Sequence, residues 1–168
     1  MNKLSLVVMV LFISLTASSQ TYYIVRHAEK AVANGNPNMN ATDPPLTDGG
    51  KARAEALKEA LKNEKLGFIF STNTIRTKST AEPLSQYLSI PIQTYNPRPD
   101  SLFIQQLRLL KHNALIVGHS NTVDDIVNML TKEQTIPKDL DDSEYDNLFI
   151  VRVKGDKVEF ERKKYGAK

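Results

Sequence analysis

Three stretches of the sequence bring reactive side chains to the ends of apolar runs. "YYIVRH" ends in Arg26 and His27, "FIFSTNTIR" leads to Arg76, and "ALIVGHS" ends in His119 and Ser120. Each run reads as a buried strand, and in an open parallel sheet ligands collect beyond the carboxyl ends of the strands. Two arginines, two histidines and a helix start are therefore expected on one rim. The chemistry that fits this set is phosphoryl transfer through histidine. A neutral imidazole nitrogen can attack phosphorus and form a labile N–P bond that water later hydrolyses. The group in transit spreads charge over its equatorial oxygens, so positioning and electrostatics carry the catalysis. Arginine supplies planar, permanently charged donors that match those oxygens. A second histidine, held cationic by the phosphate, donates to the same group. Backbone N–H groups at the helix start after Ser120 add to the cradle.

The elements that must hold these residues are legible as alternating apolar runs and helical stripes. Tyr22 to Val25 is a first buried strand, followed by the Asn- and Pro-rich loop "NGNPNMNATDPP". Thr47 caps a helix beginning near Asp48, with Ala52, Ala56, Leu57, Ala60 and Leu61 as its apolar stripe, ending over Asn63 to Gly67. Phe68 to Thr72 is a second strand. A helix from about Thr74 to Leu88 turns Ile75, Leu84 and Leu88 inward. "PIQTY" is a short third strand, and Pro99 and Asp100 lead a helix from Ser101 to about Lys111. Ala114 to His119 is a fourth strand; Val123, Ile126, Val127 and Leu130 then mark a helix. "LFIVRV" and "KVEFER" alternate around "KGDK" as an antiparallel hairpin. The expected fold is α/β: a three-layer α/β/α sandwich, mostly parallel, with an antiparallel C-terminal hairpin.

"VRHAEK", "LTDGGKARA", "STNTIRTKSTAEPL" and "LIVGHSNTV" resemble, in order, the segments of the histidine phosphatase superfamily, the phosphoglycerate-mutase-like proteins. The resemblance covers nearly all of residues 21–168, and the chain's size looks closest to the small, SixA-like members. It implies that His27 becomes the phosphohistidine and that Arg26, Arg76 and His119 complete the phosphate pocket. It implies no cofactor and no metal. Ala28 stands where the family has glycine, and Thr72 where many members have serine. No residue clearly matches the carboxylate with which larger members protonate the leaving group. Glu29, beside the nucleophile, and Asp100, at the third helix, are the candidates; such an acid contributes about 10²–10⁴-fold. Asp43 or Asn40 in the long loop could also reach the leaving group. Asp124 and Asp125 are expected to favour a helix N-terminus. His112 reads as a structural hydrogen-bonder, Arg53 and Arg98 as surface residues, and Tyr145 and Asp146 as the entry to strand five.

Composition limits the remaining classes. The 168 residues suffice for one domain; 40% are hydrophobic, 24% are charged, and the formal charge is +3. The basic residues are dispersed, which argues against a nucleic-acid partner. No cysteine is present, which excludes disulfides and thiolate chemistry. Two histidines among arginines make a poor metal set. Residues 1–20 have one early lysine, an apolar stretch from Leu4 to Leu15 and small polar residues after it. This is the layout of a secretory signal peptide, with Ala17 and Ser19 preceding a cut before Gln20. The mature chain, 21–168, is therefore expected outside the cytoplasm, periplasmic or secreted, without stable membrane insertion. The expected activity is that of a metal-independent, histidine acid phosphatase-type hydrolase of phosphomonoesters or phosphoramidates, acting on a phosphorylated small molecule or phosphoprotein. A phosphomutase of the phosphoglycerate mutase type and a non-catalytic phosphoryl-binding protein are the alternatives.

Overall fold

A computed structural model describes residues 19–32 and 42–166. Most of the expected leader, residues 1–18, and Asn40 lie outside the described residues. Ten elements follow one another: β1 (Ser19–Arg26), α1 (Asp48–Leu61), β2 (Leu66–Thr72), α2 (Ile75–Leu88), β3 (Ile92–Tyr95), α3 (Ser101–Leu109), β4 (Asn113–Gly118), α4 (Val123–Thr131), β5 (Asn147–Lys154) and β6 (Lys157–Lys164). They build one six-stranded sheet in the order β3-β2-β4-β1-β5-β6. β3, β2, β4 and β1 run parallel, while β5 lies antiparallel to β1 and to β6. The sandwich expected from the sequence is the fold observed.

The alternation of side chains along each strand splits the core in two. Tyr22 and Ile24 of β1, with Phe70, Ile116 and Phe149, face α3 and α4. Tyr23 and Val25, with Ile69, Leu115, Val117 and Ile150, face α1 and α2. Strand β1 is thus buried on both faces and, like β4, paired on both edges.

Several boundaries differ from the sequence expectation for identifiable reasons. β1 begins at Ser19 rather than Tyr22, because the ladder to β5 runs on to the Ser19–Lys154 pair. Gln20, next to the expected cut, is buried there and donates to the Arg108 carbonyl at 3.3 Å. The buried stripe of α1 is Gly50, Ala54, Leu57 and Leu61; Ala52 and Ala60 point outward. That stripe keeps a 3–4-residue spacing but starts from Gly50, a residue with no apolar side chain to signal it. In α2 the inner face is Thr77, Thr80, Ala81 and Leu84, and Ile75 is 47% exposed. α3 stops at Leu109, and β4 ends at Gly118, leaving His119 just past the ladder. Gly155, at φ +59°, makes the left-handed turn between β5 and β6. No helix among the described residues is long and apolar enough to cross a membrane.

Candidate active site

The neighbouring strands β1 and β4 end side by side, with Arg26 opposite Gly118. The His27 N–H extends the ladder by donating to the Gly118 carbonyl at 2.9 Å. This brings the His27 and His119 rings to 5.5 Å between centroids, nearly edge to face. Gly118 is confined, since a Cβ there would lie 2.7 Å from the Tyr95 hydroxyl and 2.8 Å from Thr122 Oγ1. His27 is 3% exposed. Its Nδ1 sits 2.8 Å from the Ala28 carbonyl oxygen. A carbonyl can only accept, so Nδ1 carries the proton and Nε2 keeps its lone pair. The Ala28 N–H in turn donates to Thr80 Oγ1, and Thr80 donates to the Arg76 carbonyl. The backbone just after His27 is therefore tied through Thr80 to α2.

His119 is oriented by Thr72, whose Oγ1 lies 2.9 Å from Nε2. The Thr72 hydroxyl donates to Thr77 Oγ1, and Thr77 donates to the Thr72 carbonyl. In that chain Thr72 accepts from His119 Nε2–H, leaving Nδ1 as the nitrogen that gains or loses a proton. Burial pushes His27 down to about 3, reinforced by the charges of Arg26, His119 and Arg76. Burial likewise pushes His119 down to about 4, with Arg76 and Arg26 adding to it and Asp43 opposing. Both imidazoles are neutral at neutral pH without an anion between them.

The two arginines present unused donors. Arg26 is 3% exposed and gives its Nη1 to the carbonyls of Asp141 (2.9 Å) and Asp142 (3.3 Å). Its Nε is buried without a hydrogen-bond partner, and so is that of Arg76. Arg76 Nη1 pairs with Asp43 at 3.2 Å, and Asp43 also accepts from the Ile75 N–H at 3.0 Å, capping α2. A buried donor without a partner carries a desolvation cost of about 1–3 kcal/mol, which an oxyanion between the arginines would relieve.

The two candidate acids are placed otherwise than their roles require. Glu29 is held by Arg53 through Nε (2.8 and 2.9 Å) and Nη2 (2.7 Å). Burial would raise its pKa, but the hydrogen bonds and charge of Arg53 outweigh that and hold it below the usual carboxylate range. Arg53 is thus a largely buried partner, not a surface residue, and also donates to the Tyr165 carbonyl. Asp100 caps α3 by accepting from the Phe103 N–H at 2.9 Å. It follows β3, whose place in the sheet is three strands from β1, or ~14 Å at the usual strand spacing. Ser120 lies in a turn; α4 begins only at Val123. The N–H groups of Thr122 and Val123 are taken up by the His119 carbonyl.

Of the other residues weighed, Arg98 and His112 are exposed. Asp146 pairs with Lys164 at 2.6 Å. Asp124, in the first turn of α4, is buried, and burial raises its carboxyl. Sequence reasoning passed over Thr72 and Thr80 as site supports, the carbonyls of residues 141 and 142, and Tyr145 as a neighbour of Arg26. The threonines are polar residues beside an arginine-bearing helix start, a signal that was present. The carbonyls leave no trace in side-chain chemistry. Among the described residues no three His, Cys, Asp or Glu side chains are grouped to hold a metal ion.

This arrangement has counterparts. The model of the histidine phosphatase superfamily, branch 1, matches residues 22–96, a span holding Arg26, His27 and Arg76 but not His119. No curated protein sequence matches the chain. A structure assigned as phosphohistidine phosphatase SixA, from Agrobacterium tumefaciens, superposes with a TM-score of 0.63 at 19% identity, covering 88% of this chain and 98% of that one. A mycobacterial glucosyl-3-phosphoglycerate phosphatase gives 0.63 at 11% identity over 89% and 100%. Phosphoglycerate mutase from Bacillus anthracis gives 0.59 at 14% over 87% and 93%. At such identities the likeness is one of fold, and it covers about twice as much of the chain as the sequence match does. The sequence of residues 22–96 thus matches the histidine phosphatase superfamily model, and nearly all of the chain shares the fold of the small SixA-like structures.

Proposed function

We propose that the chain is a metal-independent phosphatase that hydrolyses phosphomonoesters or phosphoramidates through a phosphohistidine on His27. The observation that carries this reading is the nucleophile's tautomer: Nδ1 is pinned to the Ala28 carbonyl, so Nε2 keeps its lone pair, in the field of two arginines with unpartnered Nε groups. In the first step Nε2 bonds to phosphorus and the bond to the leaving atom breaks. Arg26 and Arg76 hold the equatorial oxygens. The phosphate dianion raises the affinity of His119 Nδ1 for a proton, turning that ring into a cationic donor. In the second step water attacks phosphorus, the N–P bond breaks, its electron pair returns to Nε2, and the water's proton passes to solvent. With Glu29 held by Arg53 and Asp100 capping α3, the leaving atom takes its proton from His119 or water. That favours leaving groups that need little help, such as aryl oxides and phosphoramidate nitrogens.

The leader pattern of residues 1–20 supports export as part of this reading, and the N-terminus of the mature protein recovered outside the cytoplasm tests it. The activity is tested on the purified domain with p-nitrophenyl phosphate in EDTA. Turnover that disappears in His27→Ala, with a phosphoryl label on His27 that survives an alkaline quench of wild type and is lost in acid, is the expected result. Phosphate binding without turnover would leave a phosphoryl-binding protein instead. Transfer to an added phosphorylated hydroxy acid in preference to water would indicate a mutase.

A further inference from the structure

We propose that Tyr145 is a positioning residue for Arg26, fixing the plane in which that guanidinium meets a phosphoryl group; this rests on reading Arg26 as a phosphate ligand. A guanidinium has five N–H donors on two usable edges. Nη1 of Arg26 is spent on the carbonyls of Asp141 and Asp142. Nε and Nη2 share the other edge. Nε has no partner, and the contacts of Nη2 are long: 3.4 Å to the Tyr145 hydroxyl and 3.5 Å to the exposed Asp142 carboxylate. The Nε–Nη2 edge is therefore the one available for paired hydrogen bonds to two oxygens of a tetrahedral oxyanion.

An anchor at Nη1 alone leaves the plane free to rock about that point. Tyr145 removes this freedom. Its ring lies under the guanidinium, with Arg26 Cζ 4.2 Å from the centroid, a cation–π contact between partly desolvated groups. The same ring is 6.0 Å from the His27 ring centroid, so one aromatic surface bounds both the gripping and the attacking side chain. Tyr145 is itself held where the chain enters β5: its N–H donates to the Ser143 carbonyl, and the next residue's carbonyl accepts from the Tyr165 N–H. Carbonyls 141 and 142 fix one end of the guanidinium, and the ring fixes its tilt.

The test compares Tyr145→Leu, which removes the ring, with Tyr145→Phe, which keeps it. Affinity for inorganic phosphate is expected to fall about fivefold in the leucine variant, within the range of such contacts, and to be largely restored in the phenylalanine variant. In an Arg26→Lys background the leucine substitution should cost little further, the non-additivity that marks action through Arg26. A second readout needs no ligand: the Nε–Hε NMR resonance of Arg26, assigned by its loss in Arg26→Lys. It should be ring-shifted in wild type and Tyr145→Phe, and move toward the free-arginine position in Tyr145→Leu. Unchanged phosphate affinity in Tyr145→Leu, equal losses in the leucine and phenylalanine variants, a full leucine effect without Arg26, or an Arg26 resonance indifferent to the ring would each overturn the proposal. If wild type binds no phosphate while the Arg26 resonance still follows Tyr145, the positioning stands and the phosphatase reading falls.

Discussion

Replacing Glu29 by glutamine separates two roles for the carboxylate near His27. Arg53 is largely buried and grips Glu29 with two nitrogens, donating also to the Tyr165 carbonyl. Glutamine keeps one acceptor and most of the volume but removes the charge. Hydrogen bonds to charged groups contribute about 1.5–3 kcal/mol, and Glu29 is partly solvated, so a loss of about 1–2 kcal/mol is expected. For a domain of this size that is about 2–8 °C in the melting midpoint. The backbone of Glu29 is held separately, its carbonyl accepting from the N–H and Oγ1 of Thr47 at the start of α1. His27 should therefore stay in place, and kcat/KM should fall by less than about tenfold on both aryl and alkyl phosphates, far below what losing a general acid costs. Thermal unfolding followed by circular dichroism, with kinetics on p-nitrophenyl phosphate and on glycerol phosphate, measures both. A folded variant that loses about 10²-fold or more on the alkyl ester but little on the aryl ester would refute this reasoning and restore Glu29 as the proton donor.

Other outcomes follow from the same geometry. His27 titrates far below its unfolded value of about 6.5, so the unfolded chain binds a proton that the native site resists. Its contribution to stability is full above that value and is lost as pH falls toward 3, on the order of 2 kcal/mol by pH 5; denaturant titrations at the two pH values, compared with His27→Gln, should show it, and a His27 NMR titration near 6.5 would contradict it. A Cβ at Gly50 would overlap the Glu29 carbonyl oxygen, so Gly50→Ala should cost about 2–4 kcal/mol in chemical denaturation; an unperturbed midpoint would mean that the loop after His27 does not dock on α1. Thr72→Val removes the acceptor that orients His119 and should lower kcat/KM about tenfold, with Thr72→Ser restoring it; equal activity of the valine and serine variants would remove Thr72 from the site.

The fold was legible because its signals are long and periodic. Buried runs such as "ALIVGH" and the 123/126/127/130 stripe leave few readings open. Arg26, His27, Arg76 and His119 stood out in the sequence because charged or chargeable groups just past buried strands have few structural uses. What escaped was contact across the chain. Glu29 sits beside His27 in sequence, which made it a plausible acid, but its partner Arg53 is 24 residues away, on the opposite side of a loop. Asp100 carries no mark that distinguishes a helix cap from a proton donor; both are acidic residues before an apolar stripe. Tyr145 is 119 residues from Arg26, and no local pattern announces that it underlies the guanidinium.

The strand order has a consequence for how the chain comes to be folded. Within residues 22–96, the span that carries the family's sequence signature, only β2 and β3 pair with each other. The strand bearing His27 finds one neighbour at residues 113–118 and the other at 147–154. During synthesis β1 therefore has no strand partner until residues 113–118 have emerged and lacks its second until about residue 154, so the pocket closes among the last events. Such long-range pairing slows folding and leaves the nascent strand open to aggregation or to chaperones. A fragment ending at Asn96 would keep the signature but lack both strands that pair with β1: the unit recognised in sequence is smaller than the unit that completes the sheet.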